Sequence, residues 1–209
     1  MLNDSPARAF FARLFGPIGR WLGRAGVHPN VVTVFGTLGT VAASILLIGT
    51  GRFFAGCMAV TFFVFLDLLD GALARATNKI SKFGAVLDST GDRLADAAIF
   101  GALAYWYGVG DPDPALLIAS LLCLVFGQAT SYVKARSEGI GIPCNVGIAE
   151  RAERLIVVLV GIGVAGIGVP YVLAIALWVL TVVSAYTVLE RLREVYRRST
   201  EELHEPELP

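Results

Sequence analysis

Apolar residues run through this chain in long blocks broken by short polar turns. The blocks fall at about residues 29–48, 53–76, 83–109, 115–138, 151–168 and 171–191. Each is close to the ~20 residues a helix needs to cross a ~30 Å hydrocarbon core. Between them lie a turn at Gly49, Gly51 and Arg52, a polar turn from Thr77 to Lys82, and a turn rich in Asp and Pro from Gly110 to Pro114. A Gly-rich loop, GIGIPCNVGIAE, and Val169-Pro170 complete the set. The pattern predicts six transmembrane helices, the last with a polar extension to about Thr200. Residues 7–26 read differently. Phe10, Phe11, Leu14, Phe15, Ile18, Trp21 and Leu22 recur on one helical side, and Arg13, Arg20 and Arg24 fall on the other. That is an amphipathic interfacial helix, kinked at Gly16-Pro17. The expectation is an all-α polytopic membrane protein. Residues 1–28 form a juxtamembrane helix, 29–200 a six-helix transmembrane domain that carries the chemistry, and 201–209 an acidic disordered tail.

Composition supports the membrane reading. The chain is 56% hydrophobic and 16% charged, where a soluble domain is about a quarter charged. Mean hydropathy is +0.69. Net charge is zero, but its distribution is uneven. With the N-terminus inside, 16 of the 17 basic residues fall on the inner side, and only Arg52 falls outside. The positive-inside rule then predicts a multi-pass plasma-membrane protein with both termini cytoplasmic. A zero net charge gives no reason to expect a nucleic-acid partner. Cys57, Cys123 and Cys144 are far apart and form no CxxC, so they read as buried small hydrophobes. The first residues have no continuous apolar core followed by a small-residue cleavage site, so no cleaved signal peptide is expected.

Four aspartates interrupt the second and third blocks: Asp67, Asp70, Asp88 and Asp92. A carboxylate in hydrocarbon is costly and marks a functional site. The two blocks make a hairpin about the turn near Lys79. Asp67 and Asp92 lie at nearly equal distances from it, as do Asp70 and Asp88. Spacings of three and four residues keep each pair on one helix face. The four carboxylates therefore converge about 14–20 Å from the turn, at ~1.5 Å rise per residue. They sit within the inner half of the bilayer, in a cavity open to the cytoplasm. So many carboxylates cannot all stay ionised without cations. Oxygen ligands without His or Cys select hard ions, two Mg²⁺ or Mn²⁺, and argue against zinc. Paired ions of this kind clamp phosphoryl oxygens. Gly71 lets a ligand approach the backbone, and Arg75 one turn on can hold a phosphate.

The spacing D-x2-D-G-x2-A-R-x8-G-x3-D-x3-D, at Asp67, Asp70, Gly71, Ala74, Arg75, Gly84, Asp88 and Asp92, resembles the signature of the CDP-alcohol phosphotransferases. The whole chain fits that family's plan of six spans with an N-terminal amphipathic helix. The resemblance implies CDP-diacylglycerol as donor, an alcohol as acceptor, CMP as product and a homodimer. It implies that Asp67, Asp70 and Asp88 ligate metal, and that Asp92 is both ligand and general base. It also implies that Asn30, Val31, Val32, Thr33, Gly71, Arg75 and Ser81 hold the CDP-lipid.

A second cluster lies at the inner ends of the last three spans: Ser131, Lys134 and Arg136 end the fourth, Glu150, Arg151, Glu153 and Arg154 open the fifth, and Arg191 closes the sixth, with Ser131, Lys134, Arg154 and Arg191 expected to hold a phosphate. Positive-inside anchoring accounts for any one of them. As a group they form an anion site, which an acceptor carrying phosphate requires. The strings SYVKARSEG and ERAERLIVV are similar to the branch of the family that takes an inositol phosphate as acceptor. Cationic residues alone leave a glycerol 3-phosphate acceptor open, and unphosphorylated inositol is a further alternative. A cation-coupled transporter would also place aspartates in a membrane, but it leaves Gly71, Arg75 and the polar turn without a role. A lipid-binding scaffold would not need four carboxylates. The GxGxxG at Gly161, Gly163 and Gly166 lies in an apolar span with no preceding strand, and reads as small residues for close helix packing, as do Gly36 and Gly39. Asp96, one turn beyond Asp92, supports the cluster or faces the cavity.

Overall fold

The computed structural model describes residue 26 and residues 28–76, 81–148 and 150–202; side chains are described except at 68–72, 75, 76 and 202. The N-terminal amphipathic helix, most of the polar turn at 77–82 and the acidic tail beyond Glu202 lie outside the described residues. So do the side chains of Asp70, Gly71 and Arg75.

Among the described residues six α-helices follow one another: α1 Pro29–Leu46, α2 Phe53–Ala76, α3 Lys82–Tyr105, α4 Pro114–Gly139, α5 Arg151–Gly166 and α6 Val172–Glu202. Local chemistry sets their starts. His28 caps α1, its Nδ1 accepting from the Asn30 amide, with Pro29 in the first turn. Ser81 caps α3, its Oγ accepting from the Gly84 amide at 2.9 Å. Asp113 caps α4, taking the amides of Ala115 and Leu116 at 2.9 and 3.1 Å. α1 ends in a 3₁₀ turn, Ile48–Thr50, that closes on Gly51 in the left-handed conformation. α3 runs on into a π-helical turn, Trp106–Gly110.

By length and composition, three helices among the described residues are long and apolar enough to cross a membrane: Pro29–Thr50, Pro114–Gly139 and Val172–Glu201. In α2 the apolar stretch is Phe53–Asp67. α3 carries Asp88, Asp92, Arg93 and Asp96, and α5 has only 16 residues. The chemistry of the site lowers the hydropathy of the helices that carry it.

α1 packs on α2 and α3, α3 on α4, α4 on α6, and α5 on both α2 and α6. The core includes the fully buried Ile48, Val60, Ile99, Leu103, Val158, Ile162 and Leu177. These positions come from the 3₁₀ turn after α1 and from α2, α3, α5 and α6. The other half of the bundle collects the polar residues. The three cysteines are free and buried, as expected; Cys57 Sγ donates to the Leu159 carbonyl at 3.1 Å. The GxGxxG segment is a packing seam. A Cβ on Gly166 would lie 2.2 Å from the Phe54 backbone nitrogen, and one on Gly161 would lie 3.0 Å from Ala176 Cβ. Gly39 lies against the Phe63 ring in the same way. The outer face exposes Phe35, Leu38, Phe62, Val86 and Leu189, each by more than half. Apolar exposure on this scale is foreign to a soluble monomer and suits hydrocarbon.

Candidate active site

The polar half of the bundle begins with carboxylates. Asp67 on α2 and Asp88 and Asp92 on α3 each offer an oxygen, and these oxygens lie within 4.8 Å of one another. Asp88 is exposed, and Asp67 and Asp92 are half-buried. The approach of α1 helps close the group. Gly36 lies against Asp67, and a Cβ on Gly91 would come 2.4 Å from Thr37 Oγ1. Three carboxylates at this separation repel one another and attract a cation. The donors are oxygen throughout, so the residues fit a hard divalent ion rather than a soft one. The fourth aspartate of the motif, Asp70, stands one turn after Asp67 on α2.

Asp92 is also held by a cation from across the bundle. Arg151, the first residue of α5, places Nη1 2.7 Å from Asp92 Oδ1, and its Nε donates to Asp96 Oδ1 at 3.2 Å. Asp96 takes a second guanidinium on its other oxygen, from Arg154 Nη2 at 3.3 Å. An unbroken line of charge thus runs Asp92, Arg151, Asp96, Arg154. Asp96 supports the cluster through Arg151.

Beside this line opens a cavity of about 310 Å³. Ser131, Lys134, Arg154 and Arg191, the four residues expected to form an anion site, all line it, together with Asp92 and Arg151. Their surroundings differ. Lys134 is about one-third exposed and lies 4.0 Å from Glu150. Arg154 and Arg191 are only 3% exposed. Arg191 donates from Nε to the Val146 carbonyl and from Nη1 to the Thr130 carbonyl, both at 2.8 Å. It therefore also clasps the loop between α4 and α5 to α4. Gly147 makes that clasp feasible: its φ is +119°, and a Cβ there would lie 2.5 Å from Thr187 Cγ2. Gln128 ties α4 to α3 through the Arg93 carbonyl at 3.0 Å.

The residues expected to hold the CDP-lipid divide between two surroundings. Asn30 and Ser81 come together around Gly84: a Cβ there would lie 3.0 Å from Ser81 Oγ and 3.4 Å from Asn30 Oδ1. Val31 is 60% exposed and turns outward, where it lines an apolar groove of about 480 Å³ with Phe35, Leu38, Phe83 and Leu87. Val32 is half-buried. Thr33 is buried, and its hydroxyl donates to the Pro29 carbonyl. Arg151 belongs to the second cluster of the sequence but not to the four residues expected to hold the acceptor phosphate, and its contact with Asp92 was not expected. Its signal was there, since it lies three residues before Arg154 at a helix start, but nothing local pairs it with Asp92.

Comparison with known proteins agrees with this geometry. The sequence profile of the CDP-alcohol phosphatidyltransferases matches residues 26–189. The phosphatidylinositol phosphate synthase of Streptomyces avermitilis is 46% identical over 208 residues, covering 96% of this chain and 85% of that protein. The enzyme of the same name from Mycobacterium tuberculosis is 45% identical over 193 residues, covering 91% and 89%. Its crystal structure with CDP-DAG bound superposes with a TM-score of 0.85 at 44% identity, covering 88% of this chain and 94% of that one. A second crystal structure of it, in complex with manganese and citrate, gives a TM-score of 0.84 and covers 87% and 88%. A family match across most of the chain, on a fold that gathers three of the signature carboxylates, Asp67, Asp88 and Asp92, beside a basic cavity, makes this protein a transferase that belongs to the CDP-alcohol phosphatidyltransferase family.

Proposed function

We propose that this enzyme transfers the phosphatidyl group of CDP-diacylglycerol to a hydroxyl of D-myo-inositol 3-phosphate (1L-myo-inositol 1-phosphate), giving phosphatidylinositol phosphate and CMP in phospholipid biosynthesis. One observation carries the reading: Asp92 belongs both to the carboxylate group and to the wall of the basic cavity. A base shared by the two sites is what an acceptor hydroxyl needs when it attacks a metal-held diphosphate.

Asp67, Asp70, Asp88 and Asp92 would hold two magnesium ions, or manganese. Bound there, such ions polarise the diphosphate and neutralise the leaving CMP. The chain's residues supply the rest. Asn30, Val31, Val32, Thr33, Gly71, Arg75 and Ser81 seat the CDP-lipid, with the apolar groove beside Asn30 receiving hydrocarbon. Lys134, Arg154, Arg191 and Ser131 receive the acceptor's phosphate. Asp92 takes the acceptor hydroxyl proton as that oxygen bonds to the phosphorus bearing diacylglycerol. The bond from that phosphorus to the CMP oxygen breaks, and Arg75 steadies the departing charge.

The bundle sits in the plasma membrane as six spans, the polar end and both termini facing the cytoplasm. The N-terminal amphipathic helix lies on the inner surface, and the chain works as a homodimer. The test is release of CMP from CDP-diacylglycerol and inositol phosphate by the purified protein. Asp92→Asn is expected to lower it by at least ~100-fold, as loss of a general base does, while the protein stays folded. Chelation with EDTA is expected to abolish it, and added Mg²⁺ or Mn²⁺ to restore it. Turnover that survives Asp92→Asn removes Asp92 as the base.

A further inference from the structure

Arg151 and Asp92 are the two residues that wall both the 310 Å³ cavity and the small polar hollow behind it, which Asp67, Thr37 and Thr40 line. Arg151 is the cation of the two. Its guanidinium is shared: Nη1 lies on Asp92 and Nε on Asp96. The two carboxylates differ in their other surroundings. Asp96 has Arg154 as a second cation. Asp92 sits among the other carboxylates of the group, Asp67 and Asp88. A divalent ion arriving there competes with Arg151 for Asp92. Two cations cannot approach one carboxylate at contact distance without strong mutual repulsion.

We propose that Arg151 is a positioning residue that couples the two sites: it neutralises Asp92 until the divalent ion binds, and is then displaced. Tethered through Nε to Asp96, its free Nη1 turns into the adjoining cavity and adds a cation to the acceptor's phosphate site. Ion binding thereby completes the acceptor site and at the same moment releases Asp92 from Arg151. The order has a chemical use. Without the ion, Asp92 is occupied and the phosphate site is one cation short, so an acceptor gains little by entering early. The inference rests on the metal reading of the aspartates.

The test needs no turnover. Full-length protein in detergent is titrated with Mn²⁺ alone, and free Mn²⁺ is followed by its electron paramagnetic resonance signal. Arg151→Gln is expected to bind Mn²⁺ about tenfold more tightly, because a competing cation has gone. Lys134→Gln removes a cation from the same cavity that does not touch Asp92, and its Mn²⁺ affinity is expected to change by less than about twofold. A structural prop would give the opposite sign, since its loss loosens the site. Equal or weaker Mn²⁺ binding by folded Arg151→Gln overturns the proposal. A second measurement uses the unsubstituted protein. Calorimetric binding of inositol phosphate, with no CDP-lipid present, is expected to strengthen about tenfold when Mn²⁺ is added. Binding indifferent to Mn²⁺ overturns the proposal even if the variant does not fold. If the unsubstituted protein takes up no Mn²⁺, the metal reading of the aspartates falls, and this inference with it.

Discussion

At the scale of single residues, the basic cavity separates cations by their surroundings. Lys134 is partly exposed and its pairing with Glu150 is loose, at 4.0 Å. Such pairs contribute about 0–1 kcal/mol. Lys134→Ala should therefore leave folding intact and report on binding alone: KM for inositol phosphate is expected to rise about tenfold, with KM for CDP-diacylglycerol within about twofold. Steady-state kinetics with each substrate varied in turn checks this, and equal rises in both count against an acceptor role. Arg154 is a different case. It is 3% exposed and pairs with Asp96, so its removal leaves Asp96 with Arg151 alone and opens a gap in the packing, and Arg154→Ala is expected to lower stability as well as binding. The aspartates were legible in the sequence because spacing within a helix and symmetry about one turn are local facts. The contact of Arg151 with Asp96 spans 55 positions. No local period encodes such a contact; only the packing of α5 creates it.

At the scale of elements, the helices begin and end close to where the hydrophobic pattern places them. The third block was expected over residues 83–109. It is the α-helix Lys82–Tyr105 followed by the π-helical turn Trp106–Gly110. Polar breaks and capping residues mark element ends directly, which is why they were readable. The loop between α4 and α5 was not. Its sequence showed only glycines and a proline, yet it carries the Val146 carbonyl that takes Arg191 Nε. Gly147→Ala tests that role. A φ of +119° is strained for any residue with a Cβ, and that Cβ would collide with Thr187. The loop must then shift, releasing the Arg191 guanidinium from Val146. The expected outcome is a rise of about tenfold in KM for the acceptor with little change for the CDP-lipid. An unchanged acceptor KM would show that the clasp does not shape the phosphate site.

At the scale of the whole molecule, the bundle divides its labour by depth. One half holds the apolar core of Ile48, Val60, Ile99, Leu103, Val158, Ile162 and Leu177. The other half brings together groups from α2 through α6, with Asp92 standing between the carboxylates and the basic cavity. The carboxylates of the family signature lie on one hairpin and were readable as a motif. In the proposed reading, acceptor identity is spread over three later helices and their loop, so it is a property of the assembled cavity. The most direct measurement offers the purified protein CDP-diacylglycerol and Mg²⁺ with D-myo-inositol 3-phosphate, inositol or glycerol 3-phosphate, and follows CMP. CMP release with inositol phosphate, at a kcat/KM at least ~100-fold above either alternative, is the predicted result, since loss of a charged, hydrogen-bonded group costs several kcal/mol in a site built for it. Preference for inositol or glycerol 3-phosphate would contradict the assignment of the basic cavity.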